Sequence, residues 1–324
     1  MDIRGFITHK LAEENTDCQD YFGINHENKK IAISDGMSQS IFPLKWAKII
    51  VNHYLHSTNK CLSDDIRMLQ TEWLDHVVAE MQRQKEKDIP TWMLENCLNE
   101  RQGAGATFCG IMFEGQEWSG QVLGDSCLIE VNSDNKIVNI HRSQTGDFGN
   151  HPDFLDSFNE GRGTPKDIKG ILKPGNKLLF VTDPFAEFLY LKKHEGIENV
   201  YVEQLLKICS HADFQNLVDR WRAEENMHND DSTLVIVKYD GKDDFNVDGC
   251  TAYLDELIDM NGSKDKLEKI NTSEQSVYGK DCSNEQANFM IPMGCRYCKK
   301  KHARVFITKL LKLLQYYKQN PNKK

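Results

Sequence analysis

Short apolar runs that stop on an aspartate constrain this chain most. Lys30–Ser34 (KIAIS) leads directly into Asp35-Gly36. Ala106–Phe113, Glu117–Leu123, Cys127–Asn132 and Lys136–His141 then follow in quick succession. Only turn residues separate them: Glu114-Gly115, Gly124-Asp125 and Ser133-Asp134-Asn135. Such close spacing predicts an antiparallel meander. Two further runs, Lys177–Thr182 and Ser232–Tyr239, come later. Helical periodicity lies between these groups, at Pro43–Ser57 and Asp64–Lys85, then at Val202–Cys209 and Asp213–Glu225. Helices and strands are thus segregated in blocks and do not alternate as in parallel βαβ units. The pattern predicts an α+β layered architecture with antiparallel sheets.

Composition sets the class. A length of 324 residues fits about two domains, or one large domain with an extension. Apolar residues make up 39%, enough to bury a sizeable core. The net charge of −9 is unevenly spread: Gly294–Lys324 holds ten Lys and Arg and no acid, leaving 30 basic against 49 acidic residues before it. The acidic main body argues against nucleic acid as its partner. The N-terminus, MDIRGFITHKLAEEN, has no apolar signal region, and no run reaches the roughly 18–20 apolar residues of a membrane span. Eight of the ten cysteines sit singly, and Cys109 and Cys127 among them lie inside apolar strand-like runs. They read as reduced, buried thiols of a cytoplasmic protein.

The strand-end aspartates are the candidate site. Asp35 follows IAIS, Asp125 lies in Gly124-Asp-Ser126, Asp183 follows LLFVT, and Asp230 and Asp231 precede STLVIV. One such residue is an ordinary turn aspartate. Four placements in neighbouring strands would cluster carboxylates, which stay ionised together only beside a cation. Oxygen ligands of this kind suit Mg²⁺ or Mn²⁺, and a pair of such ions can clamp a phosphoryl group. Ordinary turn and cap aspartates remain the alternative from spacing alone.

Six blocks in order resemble the metal-dependent protein phosphatases of type 2C, the PPM family, including its bacterial serine/threonine members. They are Glu14-Asn-Thr-Asp17, Ser34-Asp-Gly-Met-Ser38, Gly105-Ala-Thr107, Gly124-Asp-Ser126, Leu179-Phe-Val-Thr-Asp183 and Asn229-Asp-Asp-Ser-Thr-Leu-Val235. The resemblance spans roughly residues 5–240. It implies a four-layer αββα sandwich of two antiparallel sheets flanked by helix pairs. It also implies hydrolysis of phosphoserine or phosphothreonine in a protein substrate, in signalling, by a metal-activated water without a phosphoenzyme. By that resemblance Asp35 bridges two ions of Mn²⁺ or Mg²⁺, and Gly36 lends its carbonyl. Asp183 and Asp230 complete the sites, with Asp230 preferred over Asp231. Asp17 matches the family's early aspartate, and Asp125 the one linked to a third ion.

Three departures stand out. Pro184 follows Asp183 where the family has glycine, which suits a first helical turn. Ser38 and Gln39 replace glycines after Asp35-Gly36. The phosphate-holding arginine before the early aspartate is absent, and His9 or Lys10 stands in that stretch. The altered Pro184 and Ser38-Gln39 loops keep a second function open: a catalytically weak phosphatase-like module that binds a phosphoprotein or partner. A hydrolase of small phosphate esters is a third. His141, His151 and His228 are candidate proton donors.

The expected division is a phosphatase domain over 1–240 and an extension over 241–324, joined at a linker-like Asp240-Gly-Lys-Asp-Asp244. A weak helix is expected over Ala252–Met260. Cys295, Cys298 and His302, with Cys282 upstream, offer S/N ligands for Zn²⁺. Lys301–Tyr317 reads as a basic amphipathic helix that could dock a partner, an anionic surface or the acidic body of its own chain.

Overall fold

A computed structural model of the chain describes residues 1–58, 62–144, 148 and 152–260. The cysteine–histidine motif, the basic helix and His151 lie outside the described residues.

Two sheets face each other. The first runs in the order β13 (Asn246–Val247), β1 (Asp2–Thr8), β12 (Ser232–Lys238), β11 (Lys177–Val181), β7 (Cys127–Val131), β8 (Ile137–His141). The second runs β10 (Lys166–Ile171), β6 (Glu117–Leu123), β5 (Phe108–Glu114), β3 (Lys30–Asp35), β2 (Asp20–Asn25). Every pairing within these sheets is antiparallel apart from the short β1–β13 contact. A two-stranded piece pairs β4 (Gly105–Ala106) with β9 (Leu155–Asp156).

The period-2 geometry of strands explains the layering. In β12, Val235 and Val237 point into the core between the sheets, while Leu234 and Ile236 point out of it. In β11, Leu178 and Phe180 face inward and Leu179 and Val181 outward. Both faces are apolar, so both must be covered. The outer face of the first sheet packs on α4 (Asp183–Glu195), α5 (Glu198–Leu206) and α6 (His211–Glu224), through Phe185, Phe214 and Trp221. The outer face of the second packs on α1 (Pro43–His56) and α2 (Ile66–Glu86), through Trp46, Tyr54 and Trp73. The result is the expected four-layer αββα sandwich. Helix α3 (Trp92–Asn99) follows α2 and buries no residue fully.

Two sequence expectations shift in detail. The run Ala106–Phe113 is broken at Thr107, where the backbone N–H donates to the Asp35 carbonyl at 2.9 Å and ends the β4 pairing. Strands β1, β2 and β10 were not read from periodicity. Past residue 240 the chain stays on the first sheet: Asp240 and the carbonyls of Lys242 and Asp244 accept from the Met1 ammonium, and β13 pairs with β1. Residues 254–260 are helical, near the expected Ala252–Met260. Among the described residues no helix is long and apolar enough to cross a membrane.

Candidate metal centre

The sheet topology brings one end of β2, β3, β6–β7, β11 and β12 together, and each contributes an acid. Asp20 opens β2 directly opposite Asp35, the last residue of β3. Asp125 sits in the β6–β7 turn, where Gly124 takes a φ of +84° that favours glycine. Asp183 follows β11 as the first residue of α4, and Pro184 occupies the first helical turn as expected. Asp230 precedes β12.

Buried hydroxyls hold these ends in place. Thr107 Oγ1 accepts the Asp35 N–H at 3.2 Å and lies 2.6 Å from Ser126 Oγ. Ser34 Oγ donates to the Thr107 carbonyl at 2.7 Å. The small-residue blocks Gly105-Ala-Thr107 and Gly124-Asp-Ser126 therefore meet side by side. On the other sheet, Thr182 and Thr233 both donate to Asp20 Oδ2, at 2.9 and 2.8 Å. Asp20 thus ties the two sheets together below the site. Buried Arg222, from α6, donates to the carbonyls of His9 at 3.1 Å and Asp230 at 2.6 Å. It fixes the two segments that rim the cluster.

Electrostatically the acids outweigh the cations beside them: Lys10 pairs with Asp230, and Arg142 opposes the charge of Asp125. Desolvation, then Asp125, Asp230 and Asp231, push the Asp35 carboxyl up to about 8. Desolvation, with Asp230 adding to it, pushes Asp125 up to about 6. Asp183 is raised well above the ordinary carboxylate range by desolvation and by Asp35, Asp125 and Asp230. Asp20 is raised by burial and by Asp35. Asp125 Oδ1 and Asp20 Oδ1 are buried with no hydrogen-bond donor. Acceptor-only groups left in this state call for cations, and an oxygen-rich donor set fits hard divalent ions.

The expected residues separate as follows. Asp35, Asp125, Asp183 and Asp230 are brought together. Gly36 follows Asp35, its N–H donating to the Gln19 carbonyl at 3.2 Å. Asp17 is placed differently: it is exposed in a short 3-10 turn (Asn15–Asp17), where its carboxylate accepts the Glu14 N–H. The early carboxylate that faces Asp35 is Asp20, which the sequence reading missed. Its signal was a lone acid heading the apolar run Tyr21-Phe-Gly-Ile24. Both oxygens of Asp231 are occupied by backbone N–H groups, from Lys10 and Gln19. Asp230 is left to face the cluster. Lys10 Nζ reaches Asp230 Oδ1 and Ser38 Oγ, each at 2.9 Å, so it stands at the site and not on the open surface. His141 is engaged elsewhere, 2.7 Å from Glu130 and edge-on to Trp118. His228 joins Asp183 and Asp230 in a group whose ligand atoms lie within 4.8 Å of one another.

The protein phosphatase 2C family profile matches residues 9–235. The chain belongs to the protein phosphatase 2C family. It is accordingly a metal-dependent serine/threonine phosphatase. No curated protein sequence matches the chain. Among solved structures, the catalytic domain of the serine/threonine protein phosphatase PstP, in complex with two manganese ions, is similar at 12% identity and a TM-score of 0.45. That match covers 72% of this chain and 96% of that catalytic domain. The S. agalactiae serine/threonine phosphatase is similar at 13% identity and a TM-score of 0.44, over 73% and 99% of the two chains. PppA of Pseudomonas aeruginosa, described as a regulatory component of a type VI secretion system, is similar at 13% identity and 0.43, over 73% and 96%.

Proposed function

We propose that this phosphatase hydrolyses phosphoserine or phosphothreonine in a protein at a centre for two divalent ions, Mn²⁺ or Mg²⁺. Asp35, the Gly36 carbonyl, Asp183 and Asp230 would hold the pair, and Asp125 a third ion. The observation that carries this reading is the convergence of carboxylates from both sheets, with Asp35, Asp125 and Asp183 in no ion pair among the described residues. When bound, the ions supply the charge that polarises phosphoryl oxygens and acidifies water at neutral pH. The chain's residues supply position. Thr107, Ser126 and Arg222 fix the backbone on which the carboxylates stand. Lys10 is the cation placed to take a phosphoryl oxygen, held beside the site by Asp230 and Ser38. Its substrate is then a phosphorylated protein segment laid across the sheet ends.

The test is Mn²⁺-dependent turnover of p-nitrophenyl phosphate and of a phosphothreonine peptide. Asp35→Asn and Asp183→Asn should each lower kcat by more than the roughly 10–100-fold expected of residues outside the ligand set. Turnover unchanged by both substitutions would reject the site. Metal binding without turnover would favour a binding module.

A further inference from the structure

The type 2C reading accounts for carboxylates, but the structure adds an imidazole to them. His228 lies two residues before Asp230, in the loop between α6 and β12. Its ring and the carboxylates of Asp183 and Asp230 bring one ligand atom each to within 4.8 Å of the others. These three groups arrive from two different places in the fold, the start of α4 and the approach to β12. The loop is anchored on both sides: Met227 is buried against the α6 helix face, and Arg222 grips the Asp230 carbonyl. Asp230 N–H also donates to the His228 carbonyl at 3.2 Å, closing a tight turn that sets the ring beside the acid.

The donor atoms are available. Both contacts on the Asp230 carboxylate, from Lys10 Nζ and from the Asp231 N–H, fall on Oδ1. Among the described residues, Oδ2 of Asp230, the Asp183 carboxylate and the His228 ring receive no hydrogen bond. An exposed histidine beside two carboxylates would ordinarily pair with one of them as an ion pair; none forms here at 4.0 Å or less among the described residues.

We propose that His228 is a nitrogen ligand to the cation held by Asp183 and Asp230, making this a mixed nitrogen–oxygen site. The inference rests on the metal-centre reading above and sharpens its metal class. Mg²⁺ favours an all-oxygen octahedral shell with retained waters, whereas imidazole suits first-row transition ions. The site should therefore prefer Mn²⁺ and its heavier neighbours over Mg²⁺ by more than an all-carboxylate site would. His228 acts here through the metal, as a binding residue, and not as a proton donor to the leaving group.

The test is electron spin-echo spectroscopy of Mn²⁺ on the full chain, with His228→Gln and His228→Ala as variants. Wild-type protein should show the nitrogen coupling of a directly bound imidazole, and both variants should lose it. Mn²⁺ affinity, read from the loss of the free-ion signal, should fall about tenfold or more in the variants, while Mg²⁺ affinity should change far less. Unchanged circular dichroism would show that the variants remain folded, as an exposed loop position allows. Bound Mn²⁺ without nitrogen coupling, or coupling that survives in His228→Gln, would overturn the assignment of His228 and leave the carboxylate centre standing. No Mn²⁺ binding by the wild-type chain would overturn both.

Discussion

Asp17 and Asp20 show how three residues of chain separate a surface acid from a site acid. Asp17 spends its carboxylate on a turn N–H, in water. Asp20 is fully buried, receives two threonine hydroxyls on Oδ2 and keeps Oδ1 without a donor. A buried carboxylate in that state costs free energy unless charge nearby compensates it. Asp20→Asn should therefore weaken Mn²⁺ binding about tenfold, as the loss of an outer carboxylate typically does. Asp17→Asn should leave it within about twofold, the usual reach of a surface change. Isothermal titration of the two variants checks this, and the reverse order would restore Asp17 to the site. The same contrast separates Asp230 from Asp231. Asp231 has two backbone donors and a structural part, so its charge is already spoken for.

The end of β3 shows what the elements contribute. Asp35-Gly36 is squeezed between the approach to β2 and the first turn of α1. A Cβ on Gly36 would stand 2.8 Å from the Pro43 carbonyl carbon and 2.9 Å from the Gln19 oxygen, both backbone atoms. Neither can yield without moving an element. Gly36→Ala should cost about 1–3 kcal/mol of stability, as overpacking does. It should also lower kcat, because Asp35 shifts with its neighbour. Urea denaturation and turnover measured together test this; a variant of normal stability and activity would show that the junction is not tight. Much of this was legible in advance. Apolar runs and turn residues placed β6 at its observed bounds, and β3, β7, β11 and β12 within about a residue, because these strands are rich in apolar residues and turn residues such as Gly, Asp or Asn lie at their ends. The site residues Asp35, Asp125, Asp183 and Asp230 could be read because they terminate such strands. Strand β10 (KDIKGI) escaped because it is an edge strand with mostly exposed side chains. Strands β1 and β2 escaped because Gly5 and Gly23 interrupt their apolar pattern, and no local signal says that Asp20 will face Asp35. That pairing, like the reach of His228 to Asp183, is a consequence of register and tertiary packing.

Across the whole molecule, the carboxylate cluster sets a conflict between folding and pH. The ordinary aspartate value is near 4, and the folded protein without cations holds Asp35 near 8 and Asp125 near 6. A carboxyl whose value is raised on folding contributes its full stabilisation below the ordinary value. That contribution is lost as pH rises through the folded value. The metal-free protein should therefore melt at falling temperature between about pH 5 and pH 8.5. Cations act in the opposite sense: they bind the folded cluster, compete with its protons and bind better as pH rises. At a hundred times its dissociation constant an ion adds about 2.7 kcal/mol. For a body of this size that raises Tm by roughly 5–10 °C. Mn²⁺ should thus raise Tm more at pH 8 than at pH 5, and a chelator should reverse the gain. The acidic composition of the chain adds general repulsion at high pH, so Asp35→Asn is the control. With that charge gone, both the pH slope without metal and the Mn²⁺ increment should shrink. Thermal melts of wild type and variant, with and without Mn²⁺, decide the matter. Equal melting temperatures at pH 5 and pH 8 in the metal-free wild type would mean that the cluster does not carry the strain its geometry implies.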